Sequence, residues 1–99
     1  MIVLTAVFKA KPGKETELER TLRVMIPEVQ NEDGTILYIL NQSTVDKGHF
    51  LFYEMYKDKA ALDFHNATPY FQQLLQNLDG LVAEAPQIDT YEDIAAISR

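Results

Sequence analysis

Glu54-Met-Tyr-Lys-Asp-Lys-Ala-Ala-Leu-Asp-Phe-His-Asn-Ala-Thr-Pro-Tyr-Phe71 decides how the rest of the chain is read. Its first residues close a strand. Asp58 is an N-cap for a short helix over Lys59–His65. Thr68-Pro69 then opens a second helix, with a hydroxyl at the cap and proline at the first helical position. Strand alternation sets Phe50, Phe52, Glu54 and Tyr56 on one face. If the helices cover that face, Glu54 and Tyr56 approach His65.

Downstream, Phe71, Leu74, Leu75 and Leu78 repeat at helical spacing, and Asp79-Gly80 ends the helix in a left-handed cap. A last strand follows Pro86, over Gln87–Tyr91. Upstream, Ile2–Ala10 is an apolar strand stopped by Lys11-Pro12-Gly13. Lys14 to about Gln30 is helical, with Leu18, Leu22, Met25, Ile26 and Val29 as its stripe. Pro27 removes the bond to the Arg23 carbonyl and should kink or end that helix. Asn31-Glu32-Asp33-Gly34 is a turn. Thr35–Asn41 and His49–Lys57 are strands joined through Asp46-Lys47-Gly48. The order β-α-β-β-α-β predicts one α+β domain over residues 1–99, a ferredoxin-like antiparallel sheet with its helices on one face.

The first strands are apolar on both sides: Ile2, Leu4, Ala6 and Phe8 against Val3 and Val7. A solvated sheet face should alternate instead. The uncovered face is therefore expected to pack on a second copy of the chain, making a homodimer. Net charge is −6 and no basic run occurs, which disfavours nucleic acid and anionic membranes as partners. There is no cysteine, so thiolate chemistry and disulfides are excluded. The apolar N-terminal segment lacks a basic leader and is too short to span a bilayer. The expectation is a cytoplasmic protein.

His65, Glu54, Tyr56 and Asn66 bring together an imidazole, a carboxylate, a phenol and an amide among Phe52, Phe64 and Phe71. An imidazole is the natural base near neutral pH. Glu54 would orient it, Tyr56 and Asn66 would bond substrate oxygens, and the phenylalanines would wall the pocket. On the residues alone a structural reading stands beside this one. His65 and Glu54 can be satisfied structural groups, Tyr38 and Tyr56 core phenols, and Asn66 the start of a turn. Asp63 and His65 are two apart on a helix and make no metal motif. His49, after a hairpin glycine, has no assigned role.

Glu32-x-Gly34-x-x-x-Tyr38, Phe50-x-x-x-Glu54-x-Tyr56 and Ala61-Leu62-x-x-His65-x-x-Thr68-Pro69-x-Phe71 together resemble the antibiotic biosynthesis monooxygenase domain family. That family includes quinol monooxygenases and the enzyme that processes phosphorylated autoinducer-2. The resemblance implies a dimeric α+β barrel with a pocket between sheet and helices. It implies a cofactor-independent monooxygenase acting on a small quinol-like, phenolic or enolisable substrate with molecular oxygen. Catalytic His65 and Glu54 would work beside substrate contacts from Tyr38, Phe52, Tyr56, Phe64, Asn66 and Phe71, with no metal. Isomerase-like processing of a phosphorylated signal and non-catalytic small-molecule binding are the alternatives. A phosphorylated ligand should meet a basic residue, and Lys57 and Lys59 are the nearest. The family's frequent Trp two residues after the strand glutamate is Tyr56 here. The related haem-degrading branch uses an Asn on the first strand and a Trp on the third. This chain offers Thr5 and no Trp, so haem degradation is not expected. An Asn of some polyketide-oxidising members is Phe52.

Overall fold

The computed structural model describes residues 1–99. Its elements run β1 (Ile2–Lys9), α1 (Glu15–Arg23), α2 (Met25–Val29), β2 (Thr35–Gln42), β3 (His49–Tyr56), α3 (Lys59–Asn66), α4 (Pro69–Asn77) and β4 (Gln87–Glu92). The strands form one sheet in the order β2-β3-β1-β4, every neighbouring pair antiparallel. This is the ferredoxin-like arrangement. The sheet is open, with β2 and β4 as edges, so one chain does not make the expected barrel by itself.

Local chemistry sets the boundaries. The Asp58 carboxylate accepts from the Ala61 amide at 2.9 Å and caps α3. The Thr68 hydroxyl accepts from the Phe71 amide at 3.3 Å and caps α4. Gly80, at φ 79°, turns the chain after α4. Pro27 has no N–H for the Arg23 carbonyl, and α1 stops at Arg23. The helical stretch is broken, as expected, into two helices with Val24 between them. Met25 and Val29 remain buried, whereas Ile26, expected in the stripe, is 38% exposed.

Side chains of α1, α2 and α4 (Leu18, Leu22, Met25, Val29, Leu74), with Leu78 at the end of α4, pack onto Leu4, Ala6, Phe8, Phe50, Phe52 and Tyr56. Cross-strand register adds Tyr38 opposite Glu54 and Leu40 opposite Phe52 on this covered face. An irregularity between Thr35 and Leu37 brings β2 into that phase. The other face carries Val3, Leu37, Ile39, Leu51, Tyr53 and Met55, with no helix over it; Leu37 is 40% and Ile39 45% exposed. No helix of the chain is long and apolar enough to cross a membrane.

Candidate functional site

A pocket of about 440 Å³ opens between the covered sheet face and α3/α4. Leu4, Ala6, Phe8, Phe52, Phe71, Leu74 and Leu75 line it, with Pro86 just before β4 and Ile88 on it. Tyr38, Glu54, His65, Asn66 and Gln72 supply its polar groups. A mostly apolar hollow with a few converging polar groups is the usual form of a small-molecule site.

α3 delivers His65, 1% exposed, to the inner end. The Thr68 hydroxyl donates to the His65 carbonyl at 2.8 Å, fixing the end of the helix. The ring lies between Tyr38, Tyr56 and Phe71, with ring centroids 5.5, 5.4 and 5.2 Å away. Its Nδ1 stands 3.1 and 3.0 Å from the two carboxylate oxygens of Glu32. A carboxylate only accepts, so Nδ1 carries a proton, and in the neutral ring Nε2 is then the nitrogen with the lone pair. Nε2 has no protein partner, yet no buried side-chain polar atom is left unpaired. Nε2 therefore reaches open space, in the pocket that His65 lines.

Glu32 is 6% exposed in the turn before β2. It also accepts from the Thr35 hydroxyl at 2.9 Å and from the Tyr70 hydroxyl. Burial, then the hydrogen bond to Glu32 and its charge, pushes the Tyr70 phenol up to about 12. Glu54 is placed differently. Its Oε1 accepts from the Tyr56 hydroxyl at 2.5 Å, and Oε2 has no protein partner. Burial pushes its carboxyl up to about 7; the Tyr56 bond opposes this and the Glu32 charge adds to it. The Tyr38 hydroxyl likewise has no protein partner. Burial first, then the nearby Glu54 and Glu32 charges, holds it well above the usual phenol range. It stays a donor at neutral pH.

The structure thus brings His65, Glu54, Tyr38, Asn66, Phe52 and Phe71 to one pocket, and corrects three expectations. Glu54 does not orient His65; Glu32 does. Tyr56 is fully buried and bonded to Glu54, outside the pocket lining, so its hydroxyl serves the carboxyl. Phe64 is 63% exposed and borders a separate hollow with Glu32, Gly34 and Ala61. The inward side of α3 belongs to Ala61, Leu62 and His65, which turns Phe64 away. Glu32 was missed because an Asn-Glu-Asp-Gly run reads as a solvated turn. Its place beside Gly34 in the family-like pattern was the available signal.

Comparison with known proteins agrees with this architecture. The model of the family described as antibiotic biosynthesis monooxygenase matches residues 1–77. The "Putative monooxygenase YcnE" of Bacillus subtilis is 36% identical over 72 residues, 73% of this chain and 76% of that protein. An uncharacterised protein of Synechocystis is 32% identical over 91 residues, 92% of this chain. The chain spans 62% of that relative's length. The crystal structure of a "putative antibiotic biosynthesis monooxygenase" from Deinococcus radiodurans superposes with a TM-score of 0.89 at 27% identity, covering 100% of this chain and 98% of that one.

Proposed function

The chain belongs to the antibiotic biosynthesis monooxygenase family, and from that premise we propose that it oxidises a small quinol-like, phenolic or enolisable substrate with molecular oxygen. The observation that carries the reading is the His65 ring, held at Nδ1 by the buried Glu32 carboxylate, with its Nε2 unpartnered at an apolar pocket. Triplet oxygen reacts slowly with closed-shell molecules, but a phenolate or enolate can give it one electron. His65 Nε2 takes the substrate proton, and Glu32 stabilises the imidazolium. One electron then passes to oxygen, and the substrate radical and superoxide combine into a C–O bond. The O–O bond of the resulting peroxide breaks, releasing water and leaving a carbonyl. The overall change is CH₂ plus O₂ to C=O plus H₂O, or hydroquinone plus O₂ to hydroxyquinone plus H₂O. Tyr38 and the protonated fraction of Glu54 donate to the substrate and peroxide oxygens. The scheme calls on no metal or flavin.

No Lys or Arg lines the pocket, and Lys57 and Lys59 border other hollows. A neutral aromatic ligand suits that lining better than a phosphorylated one. The test is oxygen uptake with simple hydroquinones. His65→Ala should cut turnover about 10²–10⁴-fold, the usual loss for a general base, while keeping its fold. Full turnover in a folded His65→Ala protein defeats the base assignment. No uptake by wild type, with saturable binding of the same compounds, favours a binding protein.

The proposal includes a homodimer through the apolar outer face of the sheet. Ile39→Asp is the informative variant because Ile39 is 45% exposed in one chain. The protomer can hydrate that charge, whereas a buried dimer face cannot. Sedimentation should give a dimer for wild type at micromolar concentration and a folded monomer for Ile39→Asp. A monomeric wild type removes this part of the proposal.

A further inference from the structure

Glu32 and His65 are 33 residues apart, so something must fix the turn that carries one against the helix that carries the other. The contact that does so involves Gly34. A Cβ built on Gly34 would stand 2.4 Å from the Cβ of Ala61 and 3.4 Å from its Cα. Ala61 lies on α3, one turn before His65. Its methyl has no rotamer with which to give way, so the missing side chain lets the turn seat directly on the helix. The backbone of Gly34 does not need glycine for its own sake, since its φ is not in the left-handed region. The close approach is what requires it. The Lys57 amide donates to the Gly34 carbonyl at 3.0 Å, and the Glu32 amide donates to the Val29 carbonyl at 2.9 Å. The turn is thus pinned to β3's end, to α2 and to α3.

We propose that Glu32 is the positioning residue that holds His65 in its Nδ1–H tautomer, and that the Gly34–Ala61 contact sets the distance at which it does so. Glu54 does not fill this role: Nδ1 bonds Glu32, and the one hydrogen bond of Glu54 is to Tyr56. The catalytic value of the arrangement rests on the reading of His65 as a base. The tautomer itself does not, and it can be read without turnover.

The chain has two histidines, so ¹⁵N spectra of the imidazoles are simple, and His49→Gln assigns them. Four proteins are compared: wild type, Glu32→Gln, Gly34→Ala, and Gly34→Ala with Ala61→Gly. Wild type should show His65 with a protonated Nδ1. Glu32→Gln should lose that preference, because an amide can donate to Nδ1 as well as accept from it. Gly34→Ala should lose it too, and moving the methyl from Ala61 to position 34 in the double variant should restore it. In oxygen uptake, Glu32→Gln and Gly34→Ala should lower kcat about 10–100-fold with little change in KM, as for a misplaced base. The double variant should return to within a few-fold of wild type. If Gly34→Ala does not fold, Glu32→Gln and the double variant decide. Glu32→Gln with an unchanged tautomer, or a folded double variant without recovery, overturns the proposal. A tautomer that follows these substitutions in a protein without oxygenase activity upholds it and sinks the proposed function instead.

Discussion

The two sides of the His65 ring are built on opposite plans. On the Nδ1 side every polar atom is used: Glu32 receives His65, Thr35 and Tyr70. On the Nε2 side the ring faces Tyr38, Glu54 and Phe71 across an apolar pocket, and Nε2, the Tyr38 hydroxyl and Glu54 Oε2 have no protein partner. Buried polar groups are normally paired inside the protein. A region that follows that rule is scaffold. A region whose polar atoms reach open space with no protein partner is where a ligand would complete the bonding. The two carboxyl groups follow the same division. Glu32 serves as a satisfied acceptor, whereas Glu54, with one phenol and an apolar wall, is pushed up to about 7.

The largest effect that would break this contrast comes from removing the scaffold carboxylate. Glu32→Ala strands His65 Nδ1 and the Tyr70 and Thr35 hydroxyls at once. Truncating one member of a buried, hydrogen-bonded pair costs about 3–5 kcal/mol, which lowers Tm by more than 10 °C in a domain of this size. Thermal unfolding of Glu32→Ala beside Glu54→Ala measures it. The Glu54 variant should lose less, because only the Tyr56 hydroxyl loses its partner. Equal losses would mean that the two sides are not built differently.

Glu54→Gln sharpens the contrast through pH. The folded carboxyl titrates near about 7, against 4.5 for the free group. Below about 4.5 both states hold the proton and the group's stabilising effect is fully present. Between these values the folded state keeps the proton and the unfolded state releases it. Stability therefore falls as pH rises through the window, and the loss is complete above about 7. The shift corresponds to roughly 3 kcal/mol. Glu54→Gln should lack that slope. The measurement is the difference between wild-type and variant denaturation midpoints from pH 4.5 to 8, which cancels the other carboxylates. A constant difference would place Glu54 among ordinary acids and remove it as a proton donor near neutrality.

Much of the fold follows from short-range signals. Alternation along Phe50–Tyr56 predicts the covered face, and that face is buried. Pro12-Gly13, Asp58, Thr68-Pro69 and Gly80 mark element ends because each acts through its own backbone or the next turn. The site was readable only where the same local rules reached it. Strand phase brought Phe52 and Glu54 together, and the helix after Asp58 supplied His65. The Glu32–His65 pair was not readable, since it spans 33 residues and depends on a glycine lying against an alanine. Phe64 failed for a related reason: α3 has eight residues, too few for apolar spacing to fix which side faces inward.

The smallest effect is expected from Tyr70→Phe, and it is the sharpest on where the boundary lies. Tyr70 is half-buried and touches the site only through Glu32. Its loss removes one of the bonds to a carboxylate that keeps His65 and Thr35, which costs about 1 kcal/mol. Tm should drop by several degrees. Glu32 still holds Nδ1, so turnover should stay within a few-fold of wild type, with KM unchanged because the hydroxyl does not line the pocket. Steady-state oxygen uptake and a melting curve on the same preparation give both numbers. A hundredfold fall in kcat with the fold intact would mean that the phenol takes part in moving the proton. The Nδ1 side would then be working machinery, and the division between scaffold and site would have to be drawn outside Tyr70.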